Sequence, residues 1–450
     1  MNKTVYIVHC VDTEGPLFES LEAKYERLKT VFGITNLEKT QGTLEKLKKG
    51  AIPLQGKEEL IKQIFSSHLA NYMDNWEKLE QMLLQATKES FRSNLKDSFG
   101  GSYKYSWFCL DHVGYVINPR KRTLGFHAIF DYYNNFLNKP EDRCDGMHWH
   151  FHPMSIYKEA HRCATSLLNS PLIIETLARR IIEREWFPSS VRCGFQTERP
   201  DIHWFLEQYI PFDFTNTSLE DDSEQEEQAD LANGRFLDWR LATKDWRAYH
   251  PSHDNYQLPG NCRRLIARAL NVLNRFGNLT KGEVEKAFIQ ANNGEPALLA
   301  IASHDFRDLR PEVDFFRNLI VEVAKDFPDV KFKFCDAKEA MQNVVYEGNI
   351  APALELKLNL EKNTAGLPHV LTIETVNGKI FGPQPFFAAK LRSQRFIHDN
   401  FDFSLDQKTW RYVFDEESIL PDDVEAIGIG ANDKYGNTFV KTITIKSNKG

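Results

Sequence analysis

The run Thr4-Val5-Tyr6-Ile7-Val8-His9-Cys10-Val11 ends at Asp12-Thr13-Glu14-Gly15-Pro16, and its reading decides the fold. A short, unbroken, β-branched and aromatic segment reads as a strand buried on both faces, the kind a mostly parallel sheet uses. Acidic residues at the C-terminal end of such a strand sit where parallel α/β folds put chemistry. Side chains two apart share a face of an extended chain, so Asp12 and Glu14 point into one space. Carboxylates placed together repel unless they share a cation or a proton.

Three further segments end in the same way. Gly146-Met147-His148-Trp149-His150-Phe151-His152-Pro153 carries a histidine cluster, Ser190-Val191-Arg192-Cys193-Gly194-Phe195 delivers an arginine, and Ala297-Leu298-Leu299-Ala300-Ile301-Ala302-Ser303-His304-Asp305 ends in a histidine. Apolar segments that each finish on a polar or ionisable group are the pattern of a barrel's active face. Tyr105 to Leu110 reads as another strand, and Val330 to Phe334 as the last, with a helix from Asp336. A divalent ion takes imidazole nitrogen and carboxylate oxygen together, and catalytic zinc-type sites commonly use three protein ligands plus an open position. His148 and His152, with Glu14 or Asp12, supply such a set.

These residues resemble the polysaccharide deacetylase family, carbohydrate esterase family four. His148-Trp149-His150-Phe151-His152-Pro153 fits its H-x-x-x-H-P motif, and Asp12-Thr13-Glu14-Gly15 is similar to its spaced carboxylate pair before glycine. Arg192-Cys193-Gly194 loosely matches its arginine motif, and Ala300-Ile301-Ala302-Ser303-His304 its last strand. The order along the chain agrees, over roughly residues 3–345.

The resemblance implies an irregular (β/α) barrel of the deacetylase type over residues 1–350. It implies a metal-dependent hydrolase that removes an N-acyl group from an amino sugar of a surface polysaccharide, such as lipopolysaccharide, or its precursor. It also implies one divalent ion, zinc favoured, held by Glu14, His148 and His152. Asp12 would be the base and Arg192 its partner, and His304 the acid to the departing nitrogen. His150, additional to the motif, would stand behind the ligands. The partner implied is an amino-sugar glycan or a lipid-linked saccharide. Departures exist: more than a hundred residues separate the first two motifs. The glycine-aligned register would put Thr13 at the base position, so the spaced register is preferred, with Asp12 and Glu14 able to exchange roles. For the tryptophan motif, Asp238-Trp239 and Asp245-Trp246 are both candidates. An acyltransferase using the same centre on a polysaccharide end is one alternative, and a non-catalytic glycan-binding protein is another.

At 450 residues with 42% hydrophobic content the chain exceeds one ordinary domain. Its formal charge of −7, from 56 basic and 63 acidic residues, argues against non-specific nucleic-acid binding. Leu219 to Asp230 is strongly acidic, and residues 219–233 read as a solvated loop. Seven cysteines without a C-x-x-C pair suit a reducing compartment. The start lacks an apolar signal core and no run has the length of a membrane span, so a soluble cytoplasmic protein is expected.

Residues 17–100 read as a helical insertion, through amphipathic patterns such as Leu60-Ile61, Ile64-Phe65 and Leu69, then Trp76, Leu79, Met82 and Leu83. A lid, a docking surface and a thickening of the core are all open roles. Arg263, Arg264 and Arg268 read as a helix face, either solvated or gripping an anionic group of the substrate. From residue 351 to 450 the grammar changes to alternation, in Leu354, Leu356, Leu358 and Leu360 and in Thr438 to Ile445, with turns at Asn377-Gly378 and Tyr435-Gly436-Asn437. This is a β-sandwich. Its close, Ala426 to Asn437, resembles immunoglobulin-like modules attached to carbohydrate-active enzymes, for which packing and glycan binding are both open roles.

Overall fold

The computed structural model describes residues 3–65, 67–138, 144–160, 162–220, 239–274, 277–349 and 352–445. The opening run forms β1 (Thr4–Thr13), buried along nearly its whole length. It is followed around a closed, all-parallel barrel by β2 (Ser106–Leu110), β3 (Gly146–Phe151), β4 (Ser190–Cys193), β5 (Phe212–Asn216), β6 (Leu265–Asn271) and β7 (Ala297–His304). β7 returns to β1, and the C-terminal half of β1 pairs with β2. The N-terminal half pairs instead with β8 (Lys331–Cys335), which fills the seam below.

Strand alternation sorts the side chains. Val8 and Cys10 of β1 face inward with Phe108, Phe214, Ala269, Leu298 and Ala300. Val5, Ile7 and Val11 face outward, under a coat of helices. The coat includes α7 (Ala128–Leu137), α10 (Lys281–Asn292) and α11 (Leu309–Ala324). The bottom is closed by α12 (Ala337–Tyr346), whose Ala340, Met341 and Val344 join the inner cluster. Asp336 caps that helix by accepting from the Lys338 amide at 3.1 Å.

The helices between β1 and β2 divide into two groups. α1 (Leu21–Phe32), α2 (Gln41–Lys48), α3 (Glu58–Ile64) and α4 (Ser67–Ala70) surround a small core of their own that includes Leu28, Leu44, Leu47, Ile61 and Phe65. α5 (Trp76–Ala86) instead thickens the barrel's outer layer with Leu79, Met82 and Leu83. The insertion is stitched over the barrel mouth by backbone bonds from Phe18 to Arg120 at 3.0 Å and from Met73 to Phe306 at 2.9 Å.

Arg264 and Arg268 correct the helical expectation: residues 265–271 form β6, and the two arginines share its outer face. Their spacing of four suits both readings, since i and i+4 coincide on a helix face and also on one side of a strand. Residues 221–238, with most of the acidic stretch and Asp238, lie outside the described residues.

Beyond Glu355, two four-stranded antiparallel sheets with a shared core of Leu371, Ile373, Phe387, Trp410 and Ile427 make a sandwich. One sheet contains β11 (Phe386–Leu391) and β15 (Val424–Asn432), and its outer face lies on α8 (Leu172–Arg184). A Cβ on Gly428 would fall 2.6 Å from Ile181, and one on Gly430 2.8 Å from the Phe187 ring. The glycines near the end of the chain therefore flatten a strand for close helix approach. Asn432 adds amide bonds to the carbonyls of Pro188 at 2.7 Å and Tyr209 at 3.0 Å. Deleting residues 351–450 uncovers Ile181, Ile182 and Phe187, which meet the glycines of β15. Exposing each costs about 1.5–3 kcal/mol, so the truncated protein is expected to aggregate and to bind an apolar dye. A soluble, monomeric truncation would refute this role for the sandwich.

Among the described residues, no helix is long and apolar enough to cross a membrane.

Candidate metal centre at the barrel mouth

Strand register assembles the site. Asp12 lies beside His304 across β1 and β7, and His150 beside Arg192 across β3 and β4. Asp12 and Glu14 follow the inward side of β1, and His148, His150 and His152 follow that of β3. Among the described residues, Glu14, His150 and His152 form a buried group whose ligand atoms lie within 4.8 Å of one another. The separations are 3.1 Å between the His150 and His152 Nε2 atoms, 3.4 Å from His152 Nε2 to Glu14 Oε1, and 3.9 Å from His150 Nε2 to the same oxygen. An ion about 2.1 Å from each ligand needs neighbouring ligand atoms roughly 3.0–3.5 Å apart, so the histidine pair is already set and the carboxylate has a short distance to close.

The donor chemistry fits a cation. His150 Nδ1 lies 2.7 Å from the Arg192 carbonyl, to which it can only donate, so Nε2 presents a lone pair toward the other two groups. Burial brings His150 down to about 4, which keeps that lone pair available at neutral pH. Glu14 is split between tasks: Oε2 meets Arg122 Nη2 at 2.6 Å, leaving Oε1 toward the histidines. Burial alone would raise the Glu14 pKa, but Arg122 and then His152 outweigh it and hold it well below the usual range. Gly194 makes room for His152, because a Cβ there would fall 1.8 Å from the ring.

The structure corrects the ligand set read from the H-x-x-x-H-P pattern. His148 lies one row deeper, where Asp12, Phe108 and His148 are register neighbours and the Phe108 ring lies tilted against His148, centroids 4.9 Å apart. There its Nε2 meets Asp336 Oδ1 at 2.6 Å, in space left by Gly146. His150, expected behind the ligands, stands in the triad instead. Arg263 is at the surface beside Glu207, and Arg264 is buried outside the barrel with Asp213, Glu198 and His203. Neither arginine reaches the mouth. Trp239 and Trp246 are buried, donating to the carbonyls of Gln196 and Glu283 respectively.

The remaining expected residues do meet at the mouth. Arg192 Nε donates to Asp12 Oδ1 at 2.8 Å, and Nη1 to the Phe214 carbonyl at 2.7 Å. Burial pushes Asp12 up, but Arg192, followed by His150 and His304, leaves it below the ordinary value. His304 Nε2 stands 3.9 Å from both Asp12 Oδ2 and Glu14 Oε1.

Sequence reasoning missed three groups here. Arg122 and His112 come from the loop after β2; Leu110-Asp111-His112 repeats the signal of an apolar strand ending in polar residues. Asp305 is the third. Its Oδ1 accepts from the Glu14 amide and its Oδ2 from the Gly15 amide and the Tyr133 hydroxyl, all at 2.9 Å. Burial brings Asp305 up to about 7 against those bonds. Asp305→Asn can accept on one side only, so Glu14 loses its backbone anchor. Metal affinity is expected to fall about 10- to 100-fold, as for other groups that orient a ligand. Competition with a chromophoric chelator measures it, and unchanged affinity would reject the anchoring role.

No protein-family model, curated protein or solved structure matches the chain.

Proposed function

We propose that the protein is a metal-dependent hydrolase that removes an N-acyl group from an amino sugar, presented by a surface polysaccharide or a lipid-linked precursor. The observation that carries this reading is the juxtaposition of the Glu14, His150 and His152 triad with a separate carboxylate, Asp12, pinned by Arg192. Triad and free carboxylate are what amide hydrolysis needs: a place for a Lewis acid and a base beside it.

A divalent ion, zinc by the donor types, supplies carbonyl polarisation and acidification of water when bound. Asp12, ionised at neutral pH, takes the proton from the attacking water. The C–N bond then breaks, the acyl group leaves as a carboxylate, and the nitrogen collects a proton. His304 faces the reacting centre from β7 and hands that proton on. Burial brings His304 down to about 3, with Asp12 pulling upward and Arg307 downward, so it rests neutral. Its acid role therefore follows the first proton transfer, with Asp12 as the donor.

The test uses zinc-loaded protein and N-acetylated amino-sugar oligosaccharides, with acetate release as the readout. Release that is abolished by a chelator and restored by zinc is the expected result. Acetate release unaffected by metal removal, or none from any N-acyl sugar by protein with full zinc content, would reject the proposal.

A further inference from the structure

Beside the triad, two buried guanidinium groups have donors to spare. The Arg122 side chain is 6% exposed and its Nη2 forms an ion pair with Glu14, while its Nε and Nη1 have no hydrogen-bond partner among the described residues. Arg307 is also 6% exposed. Its Nη1 and Nη2 reach Asn274 Oδ1 and His304 Nδ1 at 3.4 Å each, the far limit of a hydrogen bond, and its Nε is unpartnered at 3.8 Å from Glu312 Oε1. Both groups lie against the Phe306 ring, at 5.0 Å for Arg122 and 5.4 Å for Arg307, and the His304 ring is 4.8 Å from the same ring. The arginines thus share an aromatic neighbour with the group that faces the reacting amide.

The charge balance around them is tilted. Arg27 and Arg120 share Glu19 as their acidic partner. Burial, and then the adjacent Arg27, bring Arg120 down to about 10 against the opposing pull of Glu19. Glu312, whose two carboxylate oxygens have no hydrogen-bond partner among the described residues, stands 3.1 Å from His68 and 3.8 Å from Arg307. A divalent ion on the triad adds positive charge to a mouth where Asp12, Glu14 and Glu19 already have arginine partners. Guanidinium groups with free donors are matched by a planar carboxylate or a phosphate oxygen face.

We propose that the substrate carries a negative charge, a carboxylate or phosphate near the reacting N-acyl group, and that Arg122 and Arg307 receive it. This deepens the hydrolase reading and rests on it for the identity of the N-acyl sugar. Arg307 lies on the Nδ1 side of His304, and Asp12 and Glu14 lie on its Nε2 side. Anion and acyl group would then flank His304.

The experiment measures binding of three probes to the zinc-loaded full chain by calorimetry: N-acetylglucosamine, its 1-phosphate, and the corresponding N-acetylated aminouronic acid. At least one charged probe is expected to bind about tenfold or more tightly than the neutral sugar, the scale of a charge-assisted contact. The phosphate and carboxylate arms tell the two sources of charge apart. Arg307→Gln should bring the charged probe to within about twofold of the neutral one while zinc content stays whole, and Arg307→Lys should keep part of the preference. Equal binding of charged and neutral probes by the unsubstituted protein would overturn the inference, as would a preference that survives Arg307→Gln, or no binding by any probe. Acetate release from the neutral sugar alone would leave the hydrolase reading standing without it; tight binding of a charged probe with no acyl release would do the reverse.

Discussion

Replacing His150 with alanine is expected to empty the metal centre, whereas His148→Gln should leave it filled. His150 and His152 present their Nε2 atoms to one another at 3.1 Å, and His148 turns its own to Asp336. Loss of one of three ligands removes most of the affinity of a zinc-type site, so protein from mild purification should fall from about one equivalent to below about a tenth. Glutamine at 148 keeps an amide N–H for Asp336, which avoids leaving a buried carboxylate unpaired. Elemental analysis of both variants, each checked for native circular dichroism, reads the outcome. A folded His150→Ala protein with full metal, beside a His148→Gln protein with none, would restore the H-x-x-x-H-P ligand set and refute the geometric one.

That contrast also locates the limit of what the chain discloses. β1 was legible because a run of eight residues, six of them apolar, followed by Asp12 and Glu14 satisfies both the burial rule and the end-of-strand rule. Arg192 and His304 were legible for the same reason. Three histidines at alternate positions, two in β3 and His152 just past its end, all face inward, and period alone makes them equivalent. Their difference is depth, set by the stagger of strands around the barrel and by the Phe108 ring, neither of which is local to residues 146–153. β6 failed differently: its leucines, alanines and Arg268 are strong helix formers, yet the segment is a strand of the barrel, on which Arg268 and the flanking Arg264 meet the buried acids Glu283 and Asp213. Asp305 was hidden because its role is toward backbone amides of a loop 290 residues away.

Asp12→Asn should abolish turnover while leaving the metal in place, the second large effect. Asp12 stands outside the triad, with Oδ1 on Arg192 and Oδ2 toward His304. An asparagine side-chain oxygen can still accept from Arg192, so the geometry survives, but the amide cannot take a proton from water. The rate should fall by roughly two to four powers of ten, the usual worth of a positioned base. The same change leaves Arg192, fully buried, without a countercharge. Breaking a buried ion pair costs about 3–5 kcal/mol, so the variant should also melt earlier, and activity has to be compared well below that transition. Glu14→Gln provides the opposing arm: it should lose metal first and activity as a consequence. Rescue by excess zinc then separates them, since added metal should recover part of the Glu14→Gln rate and none of the Asp12→Asn rate. Recovery of Asp12→Asn by zinc would make Asp12 a ligand, and equal activity of both variants with the unsubstituted protein would reject the mechanism.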